Sequence, residues 1–164
     1  MTRHEDNIRH LASLIKDVEI AMLTTTRGDG RLASRPLGTQ QVEFDGNLWF
    51  ATAADSEKVA EIKADPQVNV AYASAGKNTY VSISGKASIV SDREKIEELW
   101  SPAMKIFFPE GKDDPNLRLI LVRAESAEYW DGPGTAIGKA LYLLVAAVSD
   151  DPGAMSDNET LKIR

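Results

Sequence analysis

Cysteine is absent from this chain, which excludes a disulfide framework, a thiol nucleophile and a cysteine-based zinc site. Histidine is scarce. The two present, His4 and His10, sit near the N-terminus at a spacing that matches no zinc motif, so both are expected to be solvated. A Ser-His-Asp triad in the body of the protein is thereby excluded in practice. No sustained lysine and arginine run occurs and the formal net charge is −6, so the basic stripe that meets nucleic-acid phosphates is missing and nucleic acid is not an expected partner. Long hydrophobic runs are missing too. The most apolar segment, Ala136 to Val148, is too short to cross a bilayer and contains Lys139, so no membrane association is expected. The charged start, Met1-Thr-Arg-His-Glu-Asp-Asn7, is unlike the apolar core of a secretory signal, and a cytoplasmic location is the default expectation. With no cysteine, redox chemistry has to come from a bound cofactor.

What is present describes an ordinary globular domain: 164 residues, of which 43% are apolar, are enough for a real core. One domain over residues 1–148 is expected, followed by a polar, mobile tail over 149–164. Ile8, Leu11, Leu14 and Ile15 mark one face of a first helix. Strand-like runs follow at Glu19 to Thr26 and Arg31 to Phe44, separated by a turn at Arg27-Gly-Asp-Gly30 and ended by Asp45-Gly46-Asn47. Trp49 to Thr52 reads as a buried strand, and Val68, Val70 and Tyr72 alternate as a strand should. Tyr80 to Val90 is a further strand with Gly85 inside it, where a bulge or a close backbone contact is expected. Asp92 caps a helix to Trp100, Pro102 to Phe108 adds a turn or two, and Leu117 to Tyr129 returns to strand. In Thr135 to Val148, Ile137, Leu141, Leu144 and Val145 form a helical stripe that needs a surface to cover, in a dimer or on its own subunit.

The junction at Ala54-Asp-Ser-Glu-Lys58 carries the chemistry. A strand ends there and a helix begins, with Val59 and Ile62 on its apolar face. The first N–H groups of a helix lack intrahelical partners and carry the positive end of its dipole, so an anion is stabilised there beside the Ser56 hydroxyl and the Lys58 ammonium. The plainer reading is an Asp/Ser cap on a surface helix with a solvated lysine. Arg35 is either a surface arginine or a ligand contact; Pro36 removes a ladder donor and marks an edge or bulge. The string Gly28-Asp-Gly30-Arg-Leu-Ala33 satisfies a dinucleotide-binding pattern but leads into a strand rather than a helix, so it reads as a hairpin turn.

Arg35-Pro36-Leu37, Phe50-Ala-Thr52, Ser56-Glu-Lys58, Asp65-Pro-Gln-Val-Asn-Val70 and Gly85-Lys-Ala87 resemble, in order and spacing, the flavin-binding split barrels related to pyridoxamine 5'-phosphate oxidase. Leu99-Trp-Ser-Pro102, Phe108-Pro-Glu-Gly111 and Glu128-Tyr-Trp-Asp131 look like the general stress protein 26 branch. The resemblance implies a mainly β (α+β) fold, a six-stranded antiparallel Greek-key split β-barrel. It also implies a homodimer that binds FMN, or FAD, at the subunit interface. By the same resemblance Arg35, Ser56 and Lys58 hold the phosphate, Pro36, Leu37, Ala51 and Thr52 line the ring and ribityl chain, and Trp130 lies near the partner's flavin. On residue type alone, Trp100 and Trp130 fit a core or a dimer interface equally well. The implied activity is that of a flavin-dependent oxidoreductase of unread substrate; a non-catalytic flavin carrier or sensor, or a flavin-free dimeric module, are the alternatives. Two departures matter. Glu57 stands where the oxidases carry an arginine, and the segment after Trp130 lacks the arginine and histidine that grip pyridoxamine phosphate, so oxidation of that compound is not expected.

Overall fold

The computed structural model describes residues 2–40, 43–132, 143–144, 147 and 157–164. Helix α1, Arg3–Ile15, starts in a capping box: the Glu5 amide donates to the Thr2 hydroxyl at 3.3 Å and the Thr2 amide donates to the Glu5 carboxylate at 2.7 Å. Leu11 and Ile15 are its buried residues. Strands β1, Ile20–Thr26, and β2, Leu32–Gly38, form a hairpin in which Gly30 supplies the positive φ of the turn, at 84°. Strand β3, Asn47–Ala53, leads into helix α2, Glu57–Ala64, which ends before Pro66. Strands β4, Gln67–Ser74, and β5, Thr79–Val90, form a second hairpin. Helix α3, Arg93–Leu99, has the expected Asp92 cap, which accepts from the amides of Glu94 and Lys95. Two 3-10 turns, Pro102–Ile106 and Gly111–Asp113, connect it to β6, Leu117–Asp131. Strand β7, Asp157–Lys162, comes last.

All pairings are antiparallel and the order is β2-β1-β4-β5-β6-β3, with β7 also on β6. One edge of β6 is taken by β5; the other is shared, residues 117–123 by β3 and residues 126–131 by β7. The bulge expected at Gly85 is present, as a register shift between Ser84 and Gly85. Its cause is steric: a Cβ at Gly85 would lie 2.2 Å from the Arg123 carbonyl oxygen.

Three expectations change. Among the described residues the sheet has seven strands rather than six. The seventh comes from the segment read as a polar tail, because Asp157–Lys162 satisfies the β6 edge that β3 leaves open, and it buries Leu161. The long strand expected over Arg31 to Phe44 ends at Gly38, and among the described residues no ladder joins β2 to β3. The helix expected over Thr135 to Val148 lies outside the described residues apart from Leu143, Leu144 and Ala147.

Two buried clusters flank β3 and β6. The larger packs Leu11 and Ile15 of α1 against Leu23, Phe50, Val70, Ile83 and Val122. The smaller packs Ile96, Leu99 and Phe108 on Leu117 and Leu119, with Trp49, Ala51 and Ala53 beside them. Because β3 and β6 are covered on both faces, β6 reads as a continuous apolar run rather than an alternating one. The smaller cluster also fixes α3 and the first 3-10 turn over the outer face of β3, next to the end of β2.

Candidate functional site

Between the end of β2, the outer face of β3 and the segment 98–108 lies a cleft of about 680 Å³. Pro36, Leu37, Ala51, Thr52 and Lys58 line it, together with Gly38, Thr39, Gln40 and Ala53. The facing wall is Glu98, Leu99, Trp100, Ser101, Ala103, Met104, Phe107 and Phe108. Five of the eight site residues expected from the sequence are therefore brought together, and Ser56 and Arg35 stand behind them.

Ser56 is the N-cap position of α2, yet its hydroxyl does not cap the helix. It shares a 3.1 Å hydrogen bond with the Thr52 hydroxyl instead. Arg35 is on β2 opposite Leu23 and its side chain is 21% exposed. Its Nη1 donates to Thr25 Oγ1 at 2.5 Å and its Nη2 donates to Glu61 Oε2 at 2.8 Å. The Thr25 hydroxyl in turn donates to the same Glu61 oxygen at 2.5 Å. Arg27 Nε lies 3.6 Å from the other carboxylate oxygen. The Thr25 hydrogen bond, then Arg35 through hydrogen bonding and charge, and Arg27 through charge hold the Glu61 carboxyl below the usual carboxylate range against the opposing effect of burial.

Lys58 differs from its neighbours. It is half-buried, and among the described residues its ammonium makes no hydrogen bond or ion pair. Burial, and next the charge of Arg35, hold its pKa below the usual lysine value, while Glu61 opposes the shift. A cation that is partly desolvated, repelled by one neighbour and unpaired is a place where an anion is stabilised. The first amides of α2, uncapped by Ser56, add donors at the same end.

Trp130 is not brought to the cleft. It lies near the end of β6, opposite Tyr80 and Asn158, and is 37% exposed. Trp49 packs with the smaller cluster, and Lys95 Nζ sits 4.9 Å from its ring centroid. His10 is exposed, as expected, with its ring edge against Tyr129 at 4.8 Å. Reading the sequence missed Glu61 and Thr25, and it missed the role of the segment 98–108 as a wall. The available signal for Glu61 was its position three residues after Lys58, on the same side of α2. Among the described residues no cluster of histidine and carboxylate is placed to hold a metal, and no helix is long and apolar enough to cross a membrane.

Fold and site together define an antiparallel-sheet α+β protein with a largely apolar cleft in which Lys58 is the basic residue among the described lining. The family whose model is described as "Pyridoxamine 5'-phosphate oxidase like" matches residues 6–152, and the chain belongs to that family. It is similar to protein bli-3 of Neurospora crassa, 26% identical over 93% of this chain and 78% of that one. It is also similar to general stress protein 26 of Bacillus subtilis, 32% identical over 48% of this chain and 57% of that one. Among solved structures, one from Xanthomonas citri described as a general stress FMN/FAD binding protein superposes with a TM-score of 0.66 at 28% identity, over 77% of this chain and 89% of that one.

Proposed function

We propose that the cleft binds a flavin, FMN by preference and FAD as a second ligand, with the phosphate at the Lys58 end. The observation that carries this reading is Lys58 itself: a half-buried, unpaired ammonium at one end of a cleft whose remaining walls are apolar or neutral apart from Glu98. A planar, largely apolar ligand ending in an anion fits such walls, and 680 Å³ is within the usual range for small-molecule sites. Arg35, Ser56 and the first amides of α2 share the phosphate with Lys58, while the chain at 36–37 and 51–52 lies along the ring and ribityl group. The description of the Xanthomonas citri relative supports the choice of ligand.

In this reading the sheet is a split barrel, with the gap between β2 and β3 as the split, and two copies associate so that Trp130 of one lies near the cleft of the other. The exposed Ile20 and Met22 of β1, Tyr80 of β5 and Trp130 of β6 suit that contact. Bound flavin supplies the electron chemistry; the chain binds it, orients it and tunes its surroundings. Oxidation of pyridoxamine 5'-phosphate is not expected, because among the described residues Lys58 is the one basic residue that lines the cleft. The test is the visible spectrum of the purified full chain, followed by FMN titration through fluorescence quenching. Flavin bands or saturable quenching are expected. Their absence overturns the reading in favour of a flavin-free dimeric module, and failure of NADH and NADPH to bleach a bound flavin favours a carrier or sensor over a reductase.

A further inference from the structure

We infer that Glu61 is the positioning residue of the anion seat: it holds the guanidinium of Arg35 at the phosphate end of the cleft, directly and through the Thr25 hydroxyl. The inference deepens the flavin reading and rests on it. Three groups from three elements close a ring of hydrogen bonds. Arg35 of β2 donates to Thr25 of β1 and to Glu61 of α2, and the Thr25 hydroxyl donates a hydrogen bond to the same Glu61 oxygen. Thr25 is 1% exposed and the Glu61 side chain 11%. A hydroxyl has one proton to give, so its direction is set by Glu61, and its lone pairs are thereby presented to Arg35. Two of the roughly five guanidinium N–H groups are used in this way. The guanidinium so held is close enough to Lys58 for the two charges to repel, and its remaining N–H groups suit a phosphate.

A carboxylate next to an anion site looks self-defeating, and this is what makes the inference testable. If only charge mattered, removing the negative charge of Glu61 would tighten FMN. If Glu61 acts by orienting Arg35, its removal loosens FMN in spite of the gain in positive charge. Riboflavin, which lacks the phosphate, separates the two effects from any general damage to the cleft.

The experiment measures FMN and riboflavin affinity for the full-length protein and for Glu61→Gln, Arg35→Ala, Lys58→Ala and the double variant Arg35→Ala/Glu61→Gln, with thermal unfolding in parallel. Glu61→Gln is expected to weaken FMN on the order of tenfold while leaving riboflavin within about twofold, and to add nothing once Arg35 is gone. Glu61→Asp is expected to recover part of the loss. Tighter FMN binding by Glu61→Gln overturns the inference in favour of simple charge balance, and a loss of thermal stability with both affinities intact overturns it in favour of a strut between α2 and the β1–β2 hairpin. Should Glu61→Gln not fold, Thr25→Val removes only the relayed contact. A several-fold loss confined to FMN then supports the inference, and equal losses for both ligands overturn it. If Arg35→Ala and Lys58→Ala both leave FMN unchanged, the phosphate end itself has been misplaced. That outcome differs from failure at Glu61 alone, in which Arg35→Ala weakens FMN and Glu61→Gln does not.

Discussion

Behind the wall of the cleft made by β2, β3 and α2, polar side chains are held by hydrogen bonds, whereas the facing wall from Leu99 to Phe108 holds its side chains by packing. On the first side Arg35, Thr25 and Glu61 are locked into one ring and Ser56 is tied to Thr52, leaving Lys58 without a hydrogen bond or ion pair among the described residues. On the second side Leu99 and Phe108 are buried as roots in the smaller cluster, and from them Trp100 and Met104 reach the cleft while Phe107 is 78% exposed. Hydrogen bonds are directional and fix where a charge lies; apolar contact is not, and supplies area without orientation. The comparison teaches a division of labour. The polar wall is suited to recognising one end of a ligand, and the apolar wall to covering whatever planar surface is attached to it.

The comparison breaks most visibly at Arg35. Arg35→Ala removes a half-buried cation and leaves the Glu61 carboxylate without its closest charge partner. A loss of about 3 kcal/mol in unfolding free energy is expected, at the lower end for breaking a buried pair because Arg27 remains nearby. Urea unfolding measures it, and a stability equal to wild type would show that the polar wall is not pinned by this ring. Lys58→Ala is the complementary case. With no partner to orphan among the described residues, it is expected to leave stability within about 0.5 kcal/mol while weakening FMN by about 1.5 to 3 kcal/mol, roughly ten- to a hundredfold. The pH dependence carries the same sign. The ammonium must be charged to hold a phosphate and its pKa is held low, so FMN affinity is expected to fall on the alkaline side, starting below the usual lysine value. A titration series in pH checks this, and Lys58→Arg should remove the fall.

On the apolar wall, Trp100→Ala and Phe107→Ala are each expected to cost about 0.5 to 1.5 kcal/mol in binding of both FMN and riboflavin. Paired titrations sharpen the contrast, since an unchanged ratio between the two ligands is what area without orientation predicts, and a ratio that moves would place the phosphate on this side. The smallest effect is expected at Ser56. Its hydroxyl bonds Thr52 rather than capping α2, so Ser56→Ala should change FMN affinity by about 0.5 kcal/mol or less, leaving the helix amides in place.

Acid pH tests the polar wall from the other direction. Glu61 is held below the usual carboxylate range, so its contribution to stability is fully present above that range and is lost as the pH falls through its own lower value. Glu61→Gln should flatten that part of the acid unfolding profile.

Features that depend on neighbours a few residues away can be read along the chain. The turn glycine at Gly30, the Asp92 cap, the stop before Pro66, the bulge at Gly85 and the strand-to-helix junction at Ser56 and Lys58 were all legible, because periodicity, capping and backbone sterics act over one or two turns of chain. The ordered set of short motifs was also enough to point to the family. Which distant residues meet depends on how the strands pair and the elements pack. Glu61 reaches Arg35 because β2 lies beside β1 in one register, with Leu23 opposite Arg35, and a slip of one residue would turn the guanidinium to the other face. Strand β7 could not be foreseen, since polar residues 157–160 offer no alternation of their own and take their order from the free edge of β6. The segment 98–108 becomes a cleft wall because Leu117 and Leu119 present an apolar face to Leu99 and Phe108. Burial of that face is a property of two elements in contact, and neither sequence alone contains it.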